Sequence, residues 1–305
     1  MNKVSILLSI YKPNVEFLRK QLISLNEQTY ENLDLIVWND CPDDTTDYTL
    51  IFDECIKNFK YRMFNENKNL GYTKAFEKLV TLADGYYVSF CDQDDIWKSD
   101  KIKKCVEELE KENGSYVVCD KGLIDSNNNL IKESVRRTSK KSSETWSTGD
   151  YITDKAIFVC FATGMSIIAK REDVLSVTPF PITVAHDRWL AVALSVLGKP
   201  VFLEEPLVLY RRTGKNATGV LNGINSKKDY YKFRADNTIA IESFENFFPD
   251  YKNLAEIKSC NRARISGSVF KIIKYRRFIP DLYLYEVFLS LCPDFLFKSL
   301  KKLLF

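Results

Sequence analysis

The chain has 305 residues, 45% of them hydrophobic and 28% charged, with a formal net charge of +3. That length supports one large α/β domain or a core with an appendage, and the composition excludes a disordered chain or a polytopic membrane protein. No nucleic-acid partner is expected. Eight cysteines, at 41, 55, 91, 105, 119, 160, 260 and 292, form no C-x-x-C pair. They fit reduced, buried thiols in a cytoplasmic setting better than a disulfide framework or a zinc site.

The opening MNKVSILLSIYKPN carries a short apolar run that Tyr11-Lys12-Pro13 interrupts, with no small-residue cleavage site after it. It is read as a first strand, Val4 to Ile10, and not as a signal segment. Asn14 is placed to cap a helix with Val15, Leu18, Leu22 and Leu25 at helical spacing. Leu33 to Trp38 reads as a second strand ending at Asn39-Asp40, and Phe52, Ile56 and Phe59 mark a second helix. Tyr61 to Phe64 is a third strand, Gly71 to Leu82 a third helix, and Tyr86 to Cys91 a fourth strand. A helix from Lys98 to Glu110 and a strand from Tyr116 to Cys119 follow. Such alternation predicts a mainly parallel sheet with helices on both faces. Ser126 to Asn129 reads as a turn and Thr138 to Thr148 as a mobile loop. Ile157 to Ala169 is a pair of apolar segments, Trp189 to Leu197 a helix introduced by His186-Asp187-Arg188, and Pro200 to Tyr210 a strand. Beyond Ser226 the pattern is helical and basic.

Sheets of this kind bind ligands outside the carboxyl ends of their strands. Ser9, Asp40 and Asp92 lie at three such ends, so one crevice should gather them. The stretch Phe90-Cys91-Asp92-Gln93-Asp94-Asp95-Ile96-Trp97 puts three carboxylates within four positions. Crowded carboxylates want a cation, a positive partner or water. No G-x-G-x-x-G or G-x-x-x-x-G-K-[ST] loop is present, so a phosphate ligand here would need another counter-charge. Hard oxygens from Asp92, Asp94 and Asp95 would suit Mg2+ or Mn2+; a solvated acidic turn capping the next helix is the plain alternative. His186 is the single histidine, which excludes a multi-histidine zinc site, and without G-x-S-x-G hydrolase chemistry is discounted.

Taken together, VSILLSIYKP, LDLIVWNDCPDD, NKNLGYTKAFEKL, GYYVSFCDQDDIW, ATGMSIIAKRE, HDRWLAV and LYRRTGKNATG resemble family-2 glycosyltransferases with the GT-A fold, in particular the bacterial rhamnosyltransferase-like branch. The resemblance runs through about the first 220 residues and implies roles for them. Ser9 and Tyr11 would contact the nucleoside, and Asp40 would accept a hydrogen bond from the pyrimidine N–H. Asp92 would face the ribose or sugar, and Asp94 and Asp95 would hold Mn2+ or Mg2+ with its diphosphate. Lys74 is a weaker phosphate contact. Asp187 would be the general base for the acceptor hydroxyl, with His186, Arg188 and Trp189 on the acceptor side. Tyr11 as a strand-end aromatic, Asp40 as a turn former before Pro42, Asp187 as a helix cap and Trp189 as core stay open beside these. Thr213 stands where many relatives have a histidine, and Ala75 where the rhamnosyl branch often has asparagine.

The resemblance thus implies an inverting, metal-dependent glycosyltransferase. It would move a sugar, rhamnose first among the candidates, from a UDP- or dTDP-linked donor to a glycan or lipid-linked acceptor in bacterial capsule or cell-wall synthesis. Another UDP-hexose donor, or a silent glycan- or membrane-binding module, is the alternative. The expected division is a catalytic domain over 1–222, with a nucleotide-sugar-binding half at 1–120 and an acceptor-side half at 121–222, then a helical, basic, amphipathic region at 223–305. Residues 271 to 305 hold seven Lys or Arg against three acids, amid dense aromatics and leucines. That tail is expected to lie on the inner face of the cell membrane or to pack on protein, a second copy included.

Overall fold

The computed structural model describes residues 1–65, 67–213 and 224–297. Its centre is a nine-stranded sheet. The strands are β1 Val4–Ile10, β2 Leu33–Asn39, β3 Lys60–Asn65, β4 Tyr87–Cys91, β5 Ile96–Trp97, β6 Tyr116–Ile124, β7 Leu130–Lys132, β8 Ile167–Lys170 and β9 Pro200–Arg211. They lie in the order β3-β2-β1-β4-β8-β6-β9-β5, with β7 paired to β6. Strands β1 to β4 are mutually parallel. Beyond them β8 runs antiparallel to both β4 and β6, so the sheet becomes mixed. Register fixes the functional edge: Ile10 lies opposite Asn39 and Leu8 opposite Cys91. Asp40 and Asp92 therefore leave the sheet beside Tyr11 and Ser9.

Helices cover both faces, which is why β1 and β2 read as almost unbroken apolar runs. They are α1 Val15–Asn26, α2 Tyr48–Cys55, α3 Tyr72–Leu82, α4 Lys101–Lys111, α5 Ser142–Thr145, α6 Thr153–Ala156, α7 Arg171–Ser176 and α8 His186–Leu197. In the C-terminal part come α9 Lys227–Ala235, α10 Asn237–Phe247, α11 Leu254–Ser266, α12 Val269–Lys274 and α13 Tyr283–Leu291. One face packs Leu18, Leu22, Phe52, Ile102 and Leu109 against Ile6, Leu8 and Val37. The other packs Phe76, Leu79, Leu190 and Leu194 against Leu7, Ile36 and Phe90, continuous with Ile241, Phe244 and Ile257 of the C-terminal helices.

Several boundaries differ from the sequence reading, each for a tertiary reason. Helix α2 starts at an Asp47 cap and stops at Cys55, leaving Ile56 and Phe59 outside, because the Asn26 side chain captures the N–H groups of Lys57 and Asn58. Helix α4 begins at Lys101 instead of Lys98, since Ile96–Trp97 pairs with β9 and Lys98 N–H donates to the Leu207 carbonyl. Helix α8 already starts at His186, and β6 runs on to Ile124 alongside β9. Of Ile157 to Ala169 only the end, from Ile167, is strand. The Ser/Thr-rich stretch from Thr138 to Thr148 is not a free loop: Asp281 accepts hydrogen bonds from the backbone N–H groups of Ser142 and Ser143, and Trp146 is buried. Residues 214–219 of the last sequence motif, the four that follow it, and 298–305 of the tail lie outside the described residues.

Helices α9, α11 and α13 are held by a buried ionic triad. The Glu286 Oε1 lies 2.7 Å from Arg234 Nη2 and 2.9 Å from Arg264 Nη2, and all three residues are buried. Removing the shared carboxylate would leave two guanidinium groups uncompensated in the interior. We expect Glu286→Ala to cost about 3–5 kcal/mol in denaturant unfolding, while Glu286→Gln, which keeps the shape and an acceptor oxygen, costs less.

Candidate functional site

A cavity of about 660 Å3 opens at the carboxyl ends of β1, β2 and β4, walled on the far side by Thr163, Gly164, His186 and Asp187. Ser9, Tyr11, Asp40, Asp92 and Asp94 line it together with them. These seven predicted residues, from Ser9 to Asp187, converge as expected. Tyr11 is fixed by Gln93, whose Oε1 accepts the Tyr11 backbone N–H at 2.8 Å. Asp40 is buried and spends its carboxylate on the chain: Oδ1 accepts from Leu70 N–H at 2.7 Å and Oδ2 from Gly71 N–H at 2.9 Å. This shapes the turn into α3, where Gly71 adopts a φ of 74° that favours glycine.

Crowding governs the acidic turn. Burial, followed by the charges of Asp94 and Asp187, pushes the Asp92 carboxyl up to about 7. Burial also raises Asp94, against the opposing pull of Arg211. Asp95 is driven well above the carboxylate range by burial and then by its two acidic neighbours. Asp95 is fully buried and forms no part of the cavity wall. This corrects the expectation that Asp94 and Asp95 together face the ligand, because the Asp95 Oδ1 is taken by the Arg211 N–H at 2.9 Å. Its Oδ2 is a buried atom without a hydrogen-bond partner.

The donor set fits a divalent cation of a particular kind. Asp92 and Asp94 offer hard oxygens to the cavity, with an orphaned carboxylate oxygen behind them. Among the described residues, no group of three His, Cys, Asp or Glu could enclose an ion by itself. Such a site suits Mg2+ or Mn2+ bound through one or two carboxylates and completed by water and ligand phosphate.

On the far wall, α8 presents Asp187 in its first turn, where the helix N-terminus favours a negative charge. Its Oδ2 accepts from Gly164 N–H at 3.2 Å and its Oδ1 from Arg188 N–H at 2.6 Å. Burial raises its carboxyl, with Lys121 and Arg188 among the groups pulling it back down. A Cβ on Gly164 would come within 2.7 Å of His186 Nε2, so only glycine admits this approach. His186 sits over Phe76 at 4.0 Å between ring centroids, and burial lowers its imidazole to about 3, so it is neutral. Neither ring nitrogen has a hydrogen-bond partner.

Besides Asp95, three predicted site residues face elsewhere. Lys74 pairs with Glu77 one turn along α3, at 2.9 Å. Arg188 reaches away from the cavity to the Ile157 carbonyl and to Asn237 Oδ1 at 2.8 Å. Trp189 is core, donating its Nε1–H to the Val177 carbonyl at 2.9 Å. Conversely, Arg211 escaped the sequence reading. It is fully buried, and it donates from Nε to the Asp94 carbonyl at 2.7 Å and from Nη1 to the Asp125 carbonyl and Asn128 Oδ1. A charged residue at the end of the largely apolar strand β9 was the available signal.

Arg211 thus clamps the acidic turn through its guanidinium fork and its backbone. Arg211→Lys keeps the charge but not the fork, and should cost about 1–3 kcal/mol in urea unfolding. The Asp92 shift gives a pH test. Its ordinary value is 3.8 and its folded value about 7, so the folded state holds the proton more tightly. Its penalty is absent below the lower value and grows as pH rises through the higher one. Stability should therefore fall between about pH 4 and pH 7, by at most about 1.4 kcal/mol per pH unit for this group. Asp92→Asn should flatten that slope, read as denaturant midpoints across the range.

Comparison with known proteins agrees with this geometry. The model of Glycosyl transferase family 2 matches residues 5–170, more than half of the chain. Amylovoran biosynthesis glycosyltransferase AmsB from Erwinia amylovora is 26% identical over 195 residues, 61% of this chain and 62% of that protein. The chain spans under two thirds of the length of the first curated relatives it matches. Among solved structures, S. aureus TarS 1-349 in complex with UDP-GlcNAc superposes with a TM-score of 0.58 at 12% identity, covering 94% of this chain and 87% of that one. Mannosyltransferase PcManGT from Pyrobaculum calidifontis, in complex with GDP-Man and Mn2+, gives 0.56 at 16% identity, covering 99% and 83%. With its curled mixed sheet, strand-end acidic turn and family match, the chain belongs to glycosyl transferase family 2 and has the GT-A fold.

Proposed function

We propose that the chain is an inverting glycosyltransferase that moves a sugar from a nucleoside-diphosphate donor to a glycan hydroxyl in bacterial surface-polysaccharide synthesis. One observation carries this reading: a single cavity joins Asp92 and Asp94 at the strand ends to Asp187 at a helix N-terminus, close enough for Asp187 to shift Asp92. Two carboxylates face where a diphosphate would lie, and a third stands apart from them, suited to hold a proton.

In this reading Ser9 and Tyr11 border the nucleoside and Asp92 and Asp94 the diphosphate end. Mn2+ or Mg2+, when bound there, supplies positive charge to the departing diphosphate. Asp187 takes the proton as the acceptor oxygen forms its bond to the anomeric carbon. The bond from that carbon to the diphosphate breaks, and the diphosphate leaves with the electron pair. Its raised carboxyl makes Asp187 a better base than an ordinary aspartate, and the Gly164 and Arg188 N–H groups hold it in place. Neutral His186, stacked on Phe76, forms part of the same wall. The acceptor is proposed to be a glycan on a lipid carrier and the setting cytoplasmic, a reading supported by eight cysteines that are all free thiols.

Rhamnose is the donor sugar we put first, on sequence resemblance, with a UDP-hexose second. Incubation with dTDP-rhamnose, UDP-glucose and UDP-GlcNAc plus Mn2+, with released nucleoside diphosphate as the readout, separates these donors. No release from any of them, in the presence of acceptor glycans, would overturn the catalytic reading. Asp187→Asn should leave donor binding nearly intact while turnover falls about 10²-fold or more. Lost donor affinity with normal turnover would assign Asp187 a different role.

A further inference from the structure

We propose that the outer face of α12 and α13 docks on an anionic phospholipid bilayer. The inner faces of these helices are already committed to protein: Ile272, Phe278 and Ile279 join the main core, and Glu286 and Leu289 are fully buried. The outer face is apolar as well. Phe270 is 89% exposed, Leu284 69%, Leu291 70% and Phe295 80%, with Phe288 and Ile273 exposed beside them. On α13 the spacing of Leu284, Phe288 and Leu291 is that of one helical stripe. An ordinary surface helix puts polar groups on this side, and monomeric proteins seldom leave a contiguous patch of this character in water.

Charge identifies the occupant. Lys271, Lys274 and Arg276 are exposed among and after the apolar residues of α12, with Arg277 beside them paired to Glu256. Two of the region's three acids are engaged by the protein: Glu286 lies within the ionic triad and Asp281 accepts from Ser142 and Ser143, while Asp294 is exposed 4.0 Å from Lys227. An apolar stripe flanked by a cationic margin matches a bilayer interface, where rings and leucines enter the acyl boundary and lysines meet lipid phosphates. A second copy of the chain docking on the same face would bring the two cationic margins together. Among the described residues no helix is long and apolar enough to cross a membrane, so the attachment is peripheral. This inference does not depend on the catalytic reading.

The test uses the full chain, without nucleotide or acceptor, and vesicles of phosphatidylglycerol and phosphatidylethanolamine in equal parts at low salt. The chain should sediment with these vesicles, less so as salt rises, and stay in solution with phosphatidylcholine alone. Phe288→Ser combined with Leu291→Ser changes only exposed positions and should lower partitioning on the order of 10²-fold. Lys271→Glu with Lys274→Glu should lower it about tenfold or more and blunt its salt dependence. The proposal falls if the intact chain stays in the supernatant with anionic vesicles, or if both variants sediment as the intact chain does. It falls equally if light scattering finds a stable dimer that the serine pair converts to monomer.

Discussion

Like charges held within four residues of one another set the terms for this end of the sheet. Asp92, Asp94 and Asp95 repel, and burial adds to the cost of ionising them, so all three carboxyls are raised. Arg211 opposes the shift on Asp94 and Asp95. The cluster thus holds protons more tightly than ordinary carboxylates do. A ligand that brought positive charge would displace those protons and relieve the repulsion, so its affinity would be linked to proton release.

Everything that frames the turn follows from strand register. Parallel pairing of β1 with β2 and β4 brings Tyr11, Asp40 and Asp92 to one edge, although they are far apart in sequence. Asp40 then spends its carboxylate on backbone donors at the start of α3. One residue therefore lines the cavity and builds its wall, and a substitution there would change both.

Much of this was legible in the sequence where local signals agree with tertiary structure. The apolar run of β1 and the Asn14 cap and helical spacing of α1 were readable nearly to the residue, because capping and periodicity act locally. Boundaries set by distant partners were not legible: Asn26 ends α2, β9 recruits Ile96–Trp97, and Asp281 orders the serine-rich stretch. At the site, carboxylates at strand ends were readable because topology alone places them. Arg188 and Trp189 were assigned to the cavity through their neighbours, yet each helical residue turns the side chain by roughly 100°, so they leave the face that His186 and Asp187 share. The partners of Arg211 could not be read, because they are the Asp94 carbonyl in one loop and the Asp125 carbonyl and Asn128 side chain in another.

The same rotation along α8 gives the C-terminal helices their part in the site. With Asp187 at the cavity, Arg188 reaches Asn237 at the start of α10, and the Trp189 ring packs 5.7 Å from Phe247 at its end. Helix α10 thereby braces the short segment that holds the far-wall carboxylate. Helix α10 in turn packs on α11, which the buried Glu286 ties to α9 and α13. Cutting the chain before α12 would remove Glu286 and strand Arg234 and Arg264 in the interior, disturbing the cavity wall through the fold itself. Substitutions confined to the exposed stripe leave that brace in place, so they alone separate what the outer face of these helices does from what their inner face supports.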